Sequence, residues 1–386
     1  MGKHTIASLS RNIIMWSNII GQEKVKENIK SLYNAGKLSH AYLFYGNEGV
    51  GKDATAIELA KLLNCTNIQN GSEACDKCDN CRKISSFHSE YFNLVCALPS
   101  GRGEDTDSDP IEKLAASDFD EYMEQLKLKS ENPYHIITLS NANNIRINSI
   151  REIVSKIYLS APACHVKVFL ITEAEKMKQE AANALLKVLE EPPAKSMLIL
   201  TTSKINALPQ TIVGRCQKIH FEPLDYMQVT TKLSETTPFA KKDIELAARI
   251  SAGSYSRALQ LLNIGVNELR DSALEFLVSL LKNEFADAIL IARNVSAKND
   301  REKVKYFLYV LNTWFSDLLQ VKFNTDKNTA NLDIIDRLQK LSANYPNTDI
   351  YNIITELEEA HRLITQNVQL TLILVNLAFR LKSFIQ

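Results

Sequence analysis

Two groups of residues have the types and spacing for chemistry. The octet GNEGVGKD at 46–53 has the glycine spacing of a phosphate loop. It follows an apolar run at 41–45 and opens a helical pattern, so backbone N–H groups can turn toward anionic oxygens at a helix N-terminus. Gly46, Gly49 and Gly51 allow the turn, and Lys52 has the reach for terminal phosphates. Asp53 departs from the pattern, because a Ser or Thr hydroxyl normally ligates Mg²⁺ at this place. Thr172 and Glu173 close the apolar run 168–171. A hydrolase needs an Asp there for the metal, followed by a Glu that orients water. Two metal ligands are missing, so turnover is not expected. The octet reads equally as a degenerate nucleotide site and as a glycine turn that binds nothing.

The second group is Cys65, Cys75, Cys78 and Cys81, spaced C-x9-C-x2-C-x2-C. Tetrahedral zinc takes four soft ligands at about 2.3 Å, and C-x2-C knuckles bring sulfurs to one point. The spacing predicts one structural zinc, with free thiols as the alternative. No open coordination position or neighbouring general base is evident, which disfavours a catalytic metal. His88 reads as an ordinary surface histidine, and Cys96 and Cys164 as small buried hydrophobes.

The rest of the chain must position these groups. Its 386 residues are 45% hydrophobic and 23% charged, a globular composition too long for one core. Forty-five basic residues balance forty-five acidic ones, so any nucleic-acid or membrane surface must be a local patch. No apolar run reaches the roughly 18 residues that span a bilayer. Residues 1–14 lack a signal-like apolar region and read as a disordered extension, or a start-site artefact, before Met15. With seven cysteines and no signal, the expected location is the cytoplasm.

Strand and helix signals alternate up to about residue 222. Strands are expected at 41–45, 91–97, 135–139, 166–171 and 197–201. Helices are expected on the stripes Val25, Ile29, Leu32; Ala56, Leu59, Ala60, Leu63; Ile150, Ile153, Ile157; and over 179–190. That alternation predicts a mainly parallel sheet covered on both faces. Between 99 and 132 the pattern lapses into a solvated insertion with one short helical stretch. The acidic run at 104–109 lacks the Gly and distal Glu of a calcium loop. Beyond 222 only helical patterns remain, first a small pair around Gly253 and then a longer array from 267. Arg146, Arg151 and Lys156 mark an ordinary solvated helix face that could also face DNA in an assembly.

Several strings carry a family resemblance: IIGQ at 19–22, SHAYLF at 39–44, the octet, the four cysteines, NALLKVLEEPP at 183–193 and LPQTIVGRC at 208–216. In this order the chain resembles bacterial DNA polymerase III clamp-loader subunits of the AAA+ class. NVQL at 367–370 matches only loosely, and the segment at 99–132 departs from the family pattern.

The resemblance implies an AAA+ P-loop domain over 15–222, with a parallel sheet, a zinc module at 65–81 and an insertion at 99–132. A helical lid (223–265) and an all-helical collar (266–386) would follow. Asp53 and Thr172 are unlike the motor subunits, whereas Arg215 keeps the arginine of the family's Ser-Arg-Cys motif, with Gly214 in place of Ser. That combination resembles delta-prime, a non-hydrolysing subunit whose Arg215 would act as a finger on a neighbour's ATP. Arg257 lies where the family carries its sensor-2 arginine. Implied partners are motor and delta subunits in a hetero-pentamer, a sliding clamp and primer-template DNA, with no membrane. The alternative is an ATPase motor of the same complex. A third, weaker reading is a free-standing protein whose zinc module binds nucleic acid; the zero net charge and the absence of a basic run near the cysteines count against it.

Overall fold

The computed structural model describes residues 16, 19–100, 109–159, 165–323, 329–331, 333, 335–364, 366 and 368–385. The 1–14 extension, positions 104–108 of the acidic run, Cys164 and Asn367 lie outside them. The chain divides into two compact units between Leu224 and Asp225.

The first unit contains α1 (Glu23–Asn34), β1 (Ala41–Gly46), α2 (Lys52–Asn64), α3 (Asp79–Ser85), β2 (Phe92–Val95) and α4 (Ala116–Glu131). It continues with α5 (Ile147–Ile157), β3 (Lys167–Ile171), α6 (Gln179–Glu190), β4 (Ser196–Thr202), α7 (Gln210–Val213) and β5 (Gln217–Phe221). All strand pairs are parallel, in the order β2-β3-β4-β1-β5. Successive side chains point to opposite faces of a strand, and the cores divide accordingly. Leu43, Phe169, Ile171, Leu198 and Leu200 pack with Ile150, Ile153 and Ile157 of α5 and Leu185 and Val188 of α6. Tyr42, Phe44, Val168, Leu170 and Ile199 pack on the other face with Val25, Ile29, Ile57 and Ala60. Full burial of such an aliphatic side chain contributes about 1.5–3 kcal/mol, so the period-3.6 stripes and period-2 strands hold each other in register. Trp16 is buried against the second core and its indole N–H donates to Ser72 O at 2.8 Å.

Three local expectations need correction. Residues 135–139 are irregular rather than a strand. Side chains of α4 take up some of the backbone groups here and at Ser140. Thr138 N donates to Gln125 Oε1, Ser140 N to Glu121, and Lys129 Nζ to His135 O. The short helical stretch expected within 99–132 is the 16-residue α4, which buries Tyr122 against Cys96, Leu98, Ile137 and Leu139. Strand β5 was not foreseen, because only Ile219 and Phe221 of its five residues are buried.

In the second unit, Asp225 caps α8 (Tyr226–Thr236), accepting from Met227 N while its own N–H donates to Gln228 Oε1. Then come α9 (Lys241–Ile250), α10 (Tyr255–Ile264), α11 (Val266–Lys282), α12 (Phe285–Val295) and α13 (Arg301–Lys322). α14 (Ile335–Asn344), α15 (Ile350–Ile364) and α16 (Leu370–Phe384) complete it. Phe276 and Phe307 meet edge to face at 5.6 Å in its core. Among the described residues no helix is long and apolar enough to cross a membrane.

Candidate functional site

The phosphate-loop octet occupies the connection from β1 to α2, at the carboxyl end of the strand that lies between β4 and β5. Open α/β sheets bind ligands where the strand order changes direction. Gly46 has φ 144°, and a Cβ there would lie 2.2 Å from Phe221 O, so only glycine lets β5 approach. Gly51 has φ 105° at the N-cap of α2, and its missing Cβ leaves room for the Tyr134 hydroxyl. A cavity of about 50 Å³ remains in front of the loop, lined by Glu48, Lys52, Asp53, Thr172 and Glu173 among others.

The two charged residues that close the octet are engaged within the protein. Lys52 is buried and its ammonium donates to Gly46 O at 2.9 Å and Asn47 O at 2.6 Å; burial pulls its pKa down. Asp53 accepts from Thr201 Oγ1 at 2.8 Å through one oxygen and from Lys129 Nζ at 2.8 Å through the other. Burial works against the Asp53 charge. The Lys129 ammonium, both hydrogen bonds and Lys52 outweigh it and hold the carboxyl below its usual range. Thr172 donates to Val95 O at 3.3 Å, and Glu173 pairs with Lys176 at 2.8 Å. Sequence reasoning placed Lys52, Asp53, Thr172 and Glu173 around one site, and the fold brings them together. It missed Thr201 and Lys129. Nothing in the spacing joins Lys129 to Asp53, 76 residues earlier.

Cys65 follows the last residue of α2, Cys78 precedes α3 and Cys81 lies within it. The sulfurs of Cys65, Cys75, Cys78 and Cys81 all lie within 4.8 Å of one another. Four thiolates about 2.3 Å from one ion stand roughly 3.8 Å apart, so the cluster fits a single tetrahedral metal. Cys65 Sγ accepts from Asn67 N and Cys75 N, and Cys75 Sγ from Cys78 N, the donors that settle thiolate charge. The module is anchored to α2 by charge. Lys61, fully buried, pairs with the equally buried Glu58 at 2.7 Å and with Asp76 of the knuckle. Asn64 bonds Val166 through both its amide N and O, and Asn80 donates to Asn64 O. His88 is not part of the cluster, and Cys96 is buried elsewhere.

Arg215 follows α7 and is about one-third exposed; it meets Glu190 Oε1 at 2.5 Å and donates to Thr211 O at 2.9 Å. It is not among the described residues lining the phosphate-loop cavity. Arg257 belongs to the second unit, where its guanidinium lies 4.3 Å over the Tyr309 ring and donates to Ser251 O and Tyr309 Oη. Of the Arg146, Arg151 and Lys156 face, Lys156 pairs with Glu152.

The family model described as DNA polymerase III, delta subunit matches residues 21–225, and a second model, for the C-terminal part of the delta subunit, matches 268–383. DNA polymerase III subunit delta' of Bacillus subtilis is 32% identical over 210 residues, 54% of this chain and 50% of that protein. Subunit tau of Escherichia coli is 29% identical over 253 residues, 64% of this chain and 32% of that protein. A DNA polymerase III gamma subunit-related protein from Thermotoga maritima aligns over 94% of this chain and 99% of its own, at 14% identity and a TM-score of 0.41. The matches span about a third to a half of the length of the curated relatives. The two matched segments together cover most of the chain, which belongs to the DNA polymerase III delta-subunit family.

Proposed function

We propose that this protein is a delta-prime-like, non-hydrolysing subunit of the DNA polymerase III clamp loader, serving DNA replication in the cytoplasm. The reading rests chiefly on Asp53. The residue that should help hold Mg²⁺ is a carboxylate already bound by Lys129 and Thr201. Thr172, in the other metal-holding place, cannot supply a charge. Arg215, by contrast, keeps the family's arginine on the surface, where its partners among the described residues are an exposed carboxylate and a carbonyl. Its role is to reach ATP on a neighbouring motor subunit, where a guanidinium stabilises charge on the transferring phosphoryl group. The complex would contain motor and delta subunits in a hetero-pentamer and act on a sliding clamp at primer-template DNA. A structural zinc on the four cysteines would cross-link the end of α2 to α3.

The test is ATP turnover. The isolated chain should hydrolyse no ATP above background, while its addition to motor and delta subunits should raise DNA- and clamp-stimulated turnover. Mg²⁺-dependent hydrolysis by the pure chain, abolished by Lys52→Ala, would establish a motor subunit instead.

A further inference from the structure

We infer that Lys129 is a built-in counter-cation for the phosphate loop, and that the stretch from Lys129 to Tyr134 is a latch that keeps nucleoside triphosphate out. The latch deepens the reading of a non-hydrolysing subunit, on which it rests in taking 46–53 as a phosphate loop.

Four observations carry it. The Lys129 side chain is 1% exposed, and its ammonium stands 2.8 Å from Asp53 Oδ2. A positive charge from the protein thus lies beside the residue that should help place a divalent cation. The ammonium also donates to His135 O at 2.7 Å, which ties the end of α4 to the chain that returns across the loop. On that return, the Tyr134 hydroxyl accepts from Ile20 N at 2.8 Å, and its ring lies against Gly51, at the helix start where phosphate oxygens would dock. Lys52, which lines the cavity in front of the loop, spends its ammonium on two of the loop's own carbonyls.

These contacts form a closed set. Asp53 is satisfied by Lys129 and Thr201, and Lys52 by two carbonyls, so Mg²⁺ held at Asp53 would have to displace an internal ion pair. The insertion at 99–132, which departs from the family pattern, thereby acquires a purpose: α4 delivers the lysine. Removing Asp53 alone would strand the charge of the buried Lys129, so the informative substitution removes both.

The experiment titrates the full-length chain with a fluorescent N-methylanthraniloyl-ATP in the presence of Mg²⁺. The wild type should show no saturable binding. Lys129→Met combined with Asp53→Thr, which removes the pair and restores a hydroxyl after Lys52, should bind at least about tenfold tighter, equivalent to ~1.4 kcal/mol. Equal, saturable binding by both proteins would overturn the latch, and so would a folded double variant that binds no better than wild type. A second measurement needs no variant: amine acylation of the wild-type chain, read by peptide mass spectrometry. Lys129 should be protected relative to the exposed Lys24, and modification at the same pace would also overturn the proposal. The outcomes separate the two readings. Free acylation of Lys129 rejects the latch and leaves the subunit assignment intact. A reconstituted complex indifferent to this chain rejects the assignment and leaves the latch standing.

Discussion

Replacing Arg215 with alanine separates a structural role from a mechanistic one, because the two predict effects of different size. In the fold, the guanidinium makes one ion pair with Glu190, whose side chain is half exposed, and one hydrogen bond to Thr211 O. Exposed ion pairs contribute about 0.2–1 kcal/mol, and a solvent-accessible hydrogen bond adds about 1 kcal/mol at most. Arg215→Ala should therefore cost at most ~2 kcal/mol, a fall of roughly 4–8 °C in Tm for a unit of this size. A finger acting on phosphoryl transfer is worth about 10³–10⁵ in rate, or about 4–7 kcal/mol at 1.36 kcal/mol per decade. No loss of fold stability of the first size can mimic the second in a fully assembled complex. The assay is single-turnover ATP hydrolysis by complex reconstituted with motor and delta subunits, clamp and primed DNA. One hydrolytic phase should vanish while the others persist, and clamp loading should slow. Arg215→Lys should fold normally yet fail to restore the lost phase, because an ammonium lacks the planar fork. Glu190→Ala, which removes only the resting partner, should retain all phases. Unchanged phases and loading rates for Arg215→Ala in intact complex would refute the reasoning and leave Arg215 as a surface residue.

Further outcomes follow from the same geometry. Elemental analysis should find about one zinc per chain, and Cys78→Ser should lose it while far-UV dichroism of the remaining fold persists; a metal-free chain with four rapidly alkylated thiols would count against the site. Lys61→Met should leave Glu58 and Asp76 as unpaired buried carboxylates, at a cost of about 3–5 kcal/mol, seen as a large drop in Tm and weaker metal retention; a Tm within about 2 °C of wild type, under 1 kcal/mol on this scale, would show that the triad does not anchor the knuckle. His135 is held to a pKa of about 4 by burial and by the Lys129 charge, against an ordinary value of 6.5. The unfolded chain therefore takes up this proton first, so the stability tied to neutral His135 is complete above about pH 6.5 and is lost as pH falls toward 4. Tm measured across that window should fall less steeply for His135→Gln than for wild type, and identical slopes would exclude His135 as a contributor.

Features that depend on local spacing were legible in the chain before it folded. Glycine placement announced the turn between β1 and α2, since positive φ and close approach at Gly46 and Gly51 are single-residue requirements. The C-x2-C knuckles announced a sulfur cluster, because neighbours so close in the chain converge whatever the rest of the fold does. Continuous apolar runs located β1, β3 and β4, which are buried on both faces, and period-3.6 stripes located α5 and α6. Features that depend on residues far apart emerged only on packing. Strand β5 shows only two buried positions, and residues 135–139 form no strand but lie against α4, whose Gln125 and Lys129 bond Thr138 N and His135 O. Lys129 is the sharpest case. In sequence it is one of many charged positions on a mostly polar helix, yet folding places its ammonium on Asp53 and buries the lysine. Charge carries no record in the sequence of what will face it across 76 residues, and only the packing of α4 over the phosphate loop makes that partner known.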